Sequence, residues 1–212
     1  LLGVPEVIGA SKSLLDESTG LFARCLDHSS PVIQAKALQS LQSIFGMRQS
    51  RLSVAFIRSL APAVVGKFKE DTARLDEAGV VVLLEAVKAV EVLCSVAAEE
   101  KRLPHVSLLV QFLASQLGEA SPARKEKSVR KLQEACLARL EALGPIYPGD
   151  MKTVFGSFPE LKPRLEAALA AKARGSQAAK MASNADAKQA QLKKDEPAIK
   201  LTMDFSAFKA PA

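Results

Sequence analysis

The 212-residue chain is 48% hydrophobic and 25% charged, with 5% aromatic residues and no Trp; this is globular composition with enough apolar material for a core, weighted toward helix by Leu, Ala and Val. Its net charge of +6 is spread, because residues 174–212 hold seven Lys/Arg against four Asp/Glu and the rest of the chain carries the other half of the excess; this points weakly to acidic partners and away from the concentrated basic face of a nucleic-acid binder. Three scattered cysteines, Cys25, Cys94 and Cys136, read as reduced thiols of a cytosolic protein, and the most apolar stretches, Gly79–Leu84 and Val92–Ala98, fall far short of the ~20 residues of a membrane span.

The chain begins Leu1-Leu2-Gly3 without an initiator Met and reads as the C-terminal piece of something longer. Before Ser30, the apolar Leu14, Leu15, Leu21, Phe22 and Leu26 predict one or two helices. Ser30-Pro31 then joins a good N-cap to a good first helical residue. Ala37, Leu38, Leu41, Ile44 and Phe45 follow at the spacing of one helix face. Gly46 is expected to end that helix in a left-handed conformation. A second helix is predicted over 53–69, striped by Ile57, Leu60, Ala61, Val64 and Phe68 and kinked at Pro62.

The third helix, 76–98, is apolar almost all round, with a narrow polar stripe of Glu85, Lys88 and Glu91. Such a helix must be covered on several sides. The fourth, 103–117, aligns Val106, Leu109, Val110, Leu113 and Leu117, and Gly118 stops it. Ser121-Pro122 repeats the cap grammar of Ser30-Pro31. The fifth carries Val129, Leu132, Cys136, Leu140 and Leu143 to a stop at Gly144-Pro145. A short segment around Met151–Phe155 follows, and a last helix near 159–172 packs Leu161, Leu165 and Leu169. Its start is open, because Pro159 and Pro163 do not both fit inside it.

The first helices of successive pairs begin near 31, 76 and 122, offsets of 45 and 46 residues. A helical hairpin of this period matches the HEAT/armadillo class, about 40–47 residues. The predicted fold is therefore all-α: an α-solenoid of HEAT-like hairpins over residues 1–173, followed by a disordered tail over 174–212. A plain helical bundle is the alternative. One hairpin cannot bury its apolar face alone, and the all-round apolar third helix favours the stack.

Catalytic chemistry is not expected. His28 and His105 stand in different repeats without a ligand cluster at metal spacing. No P-loop, dinucleotide fingerprint, nucleophile elbow or HExxH occurs. The acid pairs Glu99-Glu100 and Asp195-Glu196 fall at predicted loop or tail positions, where nothing raises a carboxylate pKa for acid catalysis. The expectation is no enzyme, with no catalytic residue, metal, cofactor or small-molecule substrate. The basic run Arg124, Lys125, Lys127, Arg130 and Lys131 would suit phosphate or a membrane surface. It occupies more than one side of its helix, with Glu126 and Glu134 interleaved, which is the pattern of a solvated face.

From Arg174 the composition turns to Ala, Lys, Gln, Ser and Asn, and apolar periodicity disappears. Near the end, Ile199, Leu201, Met203 and Phe205 alternate with polar or small residues, the pattern of an extended peptide that fills pockets with alternate side chains. The partner for that burial is either the protein's own body or another protein. Asp204-Phe205-Ser206-Ala207-Phe208 also resembles the short acidic-phenylalanine peptides bound by the ear domains of clathrin adaptors. Two aromatics would fill pockets while the carboxylate meets a basic rim. The candidate partner-binding residues are thus Ile199, Leu201, Asp204, Phe205 and Phe208.

Gly144-Pro-Ile-Tyr147-Pro148, then Phe158-Pro-Glu-Leu-Lys-Pro-Arg-Leu-Glu-Ala-Ala168, then a polar tail ending in Ile199-Lys-Leu201, resembles the C-terminal end of the HEAT repeat-containing protein 5 family. The resemblance is clearest over residues 140–205. It implies a very large cytosolic HEAT-repeat protein of membrane traffic. Its expected partners are the AP-1 clathrin adaptor and accessory proteins, and its expected place is peripheral, through them, to trans-Golgi and endosomal membranes. No catalytic residue comes with the family, and no nucleic acid is implied. The competing expectation is a HEAT scaffold of another assembly, in nuclear transport or a kinase or phosphatase complex, since fold does not fix function.

Overall fold

Side-chain caps set several of the helix starts. A computed structural model describes residues 11–47, 50–69, 76–117 and 127–174. The Ser11 hydroxyl accepts from Leu14 N and opens α1, Lys12–Leu26. Pro31 opens α2, Pro31–Phe45. The Ser50 hydroxyl accepts from Ser53 N at 2.9 Å and opens α3, Arg51–Gly66, which passes into a 3₁₀ turn at Lys67–Lys69. The Asp76 carboxylate accepts from Gly79 N at 2.7 Å and opens α4, Glu77–Val96. Then come α5, Glu99–Gln116, α6, Lys127–Ile146, and α7, Pro148–Ser157. Residues 161–174 are also helical, and no strand occurs among the described residues. The chain divides into a unit of Leu1–Leu169 and one of Ala170–Ala212.

In the first unit each helix packs chiefly on those one or two places away along the chain. Helix α2 lies on α1, α3 and α4; α4 lies on α2, α3, α5 and α6; α5 lies on α4, α6 and α7. Because α4 is enclosed by four neighbours, its buried residues run around most of its circumference: Val80, Val82, Leu83, Ala86, Val87, Ala89, Val90, Leu93 and Cys94. The core continues through Leu38, Leu41 and Phe45 of α2, Phe56, Leu60 and Val64 of α3, Leu109 and Leu113 of α5, and Leu132 and Leu140 of α6. Phe22 meets Phe56 edge-on with ring centroids 5.4 Å apart, and Phe68 stacks on Phe112 at 4.1 Å.

Several local expectations are corrected. Gly46 is right-handed, φ −70° and ψ −11°, so its place is not a left-handed cap. Ser30 sits at the N-cap position of α2, but its hydroxyl makes no cap bond; its own N–H donates to His28 Nδ1 at 2.9 Å. The buried face of α3 is centred on Leu52, Phe56, Leu60 and Val64, so Ile57 and Ala61 lie at its edge. Helix α6 does not stop at Gly144-Pro145: proline near a C-terminus forfeits one bond only, and Tyr147 N still donates to Leu143 O at 2.9 Å. The two prolines of the last helix are reconciled because Pro159 lies in the preceding turn and Pro163 in the first helical turn. Gly118 and Ser121-Pro122 lie outside the described residues.

Candidate functional site

Polar side chains cross between helices that lie far apart in sequence. Gln42 on α2 donates through Nε2 to Glu85 Oε2 at 2.8 Å and to Glu85 O at 3.0 Å, across 43 residues. Glu85 Oε1 also accepts from Lys88 Nζ at 2.7 Å. Arg139 on α6 reaches Glu91 on α4 at 3.1 Å, across 48 residues. Lys131 on α6 pairs with Glu77 at the start of α4, across 54 residues. Arg102 on α5 meets Asp150 on α7 at 2.7 Å, again across 48, with its guanidinium 5.0 Å from the Tyr147 ring centroid.

The stripe of Glu85, Lys88 and Glu91 is therefore not a solvent face. Glu85 is only 7% exposed. Burial pushes its carboxyl pKa up, but the bonds from Lys88, Gln42 and Gln39 outweigh that and hold it below its ordinary value. At Glu91 the balance reverses: burial pushes the carboxyl up and the charges of Arg139 and Lys88 only partly oppose it. Lys131 and Lys88 hold acids of the fold or its surface rather than presenting a free cationic site. Of the basic run singled out in the sequence, Lys127, Arg130 and Lys131 are exposed on α6, whereas Arg124 and Lys125 lie outside the described residues.

Burial pushes the Cys94 and Cys136 thiols up to about 12, which makes them unreactive. His28 is exposed and its ring accepts the Ser30 N–H; His105 is half-buried on α5. Glu99 and Glu100 belong to the first turn of α5 instead of a loop, where carboxylates complement the positive end of the helix dipole. No group of three or more His, Cys, Asp and Glu able to hold a metal occurs among the described residues. No described helix is long and apolar enough to cross a membrane.

The tail peptide residues Ile199, Leu201, Asp204, Phe205 and Phe208 lie outside the described residues, as does nearly all of the 174–212 segment. What sequence reasoning passed over is on α3. Arg51, Val54, Ala55 and Arg58, with Ser50, line an open trough of about 310 Å³. The signal was available: two arginines seven residues apart bracket a valine on the face opposite Phe56 and Leu60. No family model matches the chain, and no solved structure matches it.

Proposed function

We infer that this chain is a non-catalytic protein-interaction scaffold, built as an α-solenoid of HEAT-like hairpins. The observation that carries the reading is the pattern of helix packing. Helices meet those one or two places along the chain. The polar links between them span 43, 48, 48 and 54 residues. Those separations cluster around the 45-residue hairpin period. Stacked repeats contact their neighbours in this way, and such stacks work by presenting extended surfaces to other proteins.

The finer reading is a scaffold of AP-1 clathrin-adaptor traffic between the trans-Golgi network and endosomes, peripheral to those membranes through its partners. The resemblance over residues 140–205 and the Asp204–Phe208 peptide support it. The test is capture of AP-1 subunits and accessory proteins by the full chain, compared with a Phe205→Ala/Phe208→Ala variant. Adaptor recovered by the wild type and lost in the variant supports the reading and assigns the contact to the tail. Equal recovery moves the contact to the helical body. No coat or adaptor recovery from either chain removes the trafficking assignment.

A further inference from the structure

The exposed side of α3 has a chemistry of its own. Arg51, Val54, Ala55 and Arg58 stand at i, i+3, i+4 and i+7, which places them along one face of the helix. Val54, between the two arginines, is 52% exposed, although large aliphatic side chains are more often buried. Among the described residues neither arginine has an ion-pair or hydrogen-bond partner. The Cys94 and Tyr147 surroundings, by contrast, are closed by Arg102 and Asp150. Within α3 the charged residues are Arg51 and Arg58, with no Asp or Glu. This cationic face is therefore not neutralised from within its own element.

We propose that the Arg51–Arg58 face of α3 docks an acidic amphipathic helix of another protein, with two carboxylates seven residues apart and apolar side chains between them. Charge complementarity and the matching helical interval of the two arginines point to this occupant. Seven helical residues set the arginine Cα atoms roughly 10.5 Å apart along the axis. A partner helix crossing at a shallow angle presents carboxylates at the same interval and keeps register over two turns. An extended peptide alternates faces, so its same-side carboxylates fall about 6.8 or 13.6 Å apart. Each guanidinium offers a planar fork that grips a carboxylate with two bonds. Val54 and Ala55 receive the apolar residues at i+3 and i+4 of the partner. Two cations with one apolar patch are too few to hold a bilayer or to follow a phosphate backbone.

The proposal deepens the scaffold reading and rests on it only in taking the partner to be a protein. It does not involve the tail, so the Phe205→Ala/Phe208→Ala result and this one can fail separately. The probe is a fluorescein-labelled synthetic helix of about 18 residues, with Glu at i and i+7 and Leu at i+3 and i+4. Its binding to the full chain is read by anisotropy. Arg51→Glu/Arg58→Glu is expected to weaken binding at least about tenfold. Lys101→Glu/Lys152→Glu makes the same change of net charge on exposed positions elsewhere and is expected to stay within about twofold of wild type. Circular dichroism checks that both variants keep their helix content. Equal weakening by the two variants overturns the proposal. So does equal binding of a peptide with the same composition but Glu on opposite faces. Tighter, Arg51/Arg58-dependent binding to phosphatidylserine vesicles or to a single-stranded oligonucleotide also overturns it, by reassigning the face to that ligand.

Discussion

Glu85 and Glu91 occupy one helix, and burial pushes both carboxyls up, yet their net shifts run in opposite senses. Glu85 has more bonded partners, and its folded-state pKa is lowered. The unfolded chain then takes up a proton more readily, so the stability this group contributes above the usual carboxylate range is lost as pH falls through that range. Glu91 has a raised folded-state pKa, so its protonation favours the fold as pH falls from above the raised value to the usual one. Thermal midpoints followed from pH 7 to pH 3 separate the two. Glu85→Gln is expected to flatten the acid loss of stability, and Glu91→Gln to steepen it. Identical profiles for the two variants would mean that their surroundings do not differ in this way. At neutral pH, Glu85→Ala leaves Gln42 and Lys88 without their shared acceptor, at a cost of about 2 kcal/mol.

At the scale of the element, α1 and α4 mark the extremes. Only Leu26 of α1 is fully buried, while Leu14 and Leu21 are 41% and 49% exposed. Helix α4 buries residues around most of its girth, including Leu83 at 1% exposure, while Val81 stays 47% exposed. The same chemical change should therefore give unequal results. Leu83→Ala leaves a cavity between packed helices and is expected to cost ~2–5 kcal/mol. Leu14→Ala is expected to stay within about 0.5 kcal/mol. Denaturant titration with a shared slope checks the pair. Similar losses at both positions would place α1 in a packed environment equal to that of α4.

Over the first unit as a whole, near-neighbour packing predicts how damage spreads. In a stack, stability is close to a sum of repeat and interface terms, so a weakened element loosens its neighbours first. Val154, 2% exposed on α7, provides the test, because α7 packs on α5 and α6. Val154→Ala is expected to raise amide exchange in α5, α6 and α7 while α1 and α2 keep their protection. Uniform acceleration across all of these helices would indicate one cooperative bundle and count against the stacked-hairpin reading.

Local signals in the sequence determined that the described residues are helical and roughly where most helices lie, because caps and apolar periodicity act within a few residues. Most of the buried face of α5 and α6 was legible: Val106, Leu109, Val110, Leu113 and Leu117, then Val129, Leu132, Cys136, Leu140 and Leu143, while Phe112, Ala114 and Leu137 are buried beside those stripes by the neighbouring helices. The tertiary structure decided what depends on distant partners. It buried Glu85 against Gln42 and joined Glu91 to Arg139, turning an apparent polar face into contacts between helices. It also left Arg51, Val54 and Arg58 exposed while Leu52 and Phe56, among them in sequence, are buried. Periodicity says which residues share a face of one helix. Only the packing of other helices decides whether that face meets water, an ion-pair partner or the core.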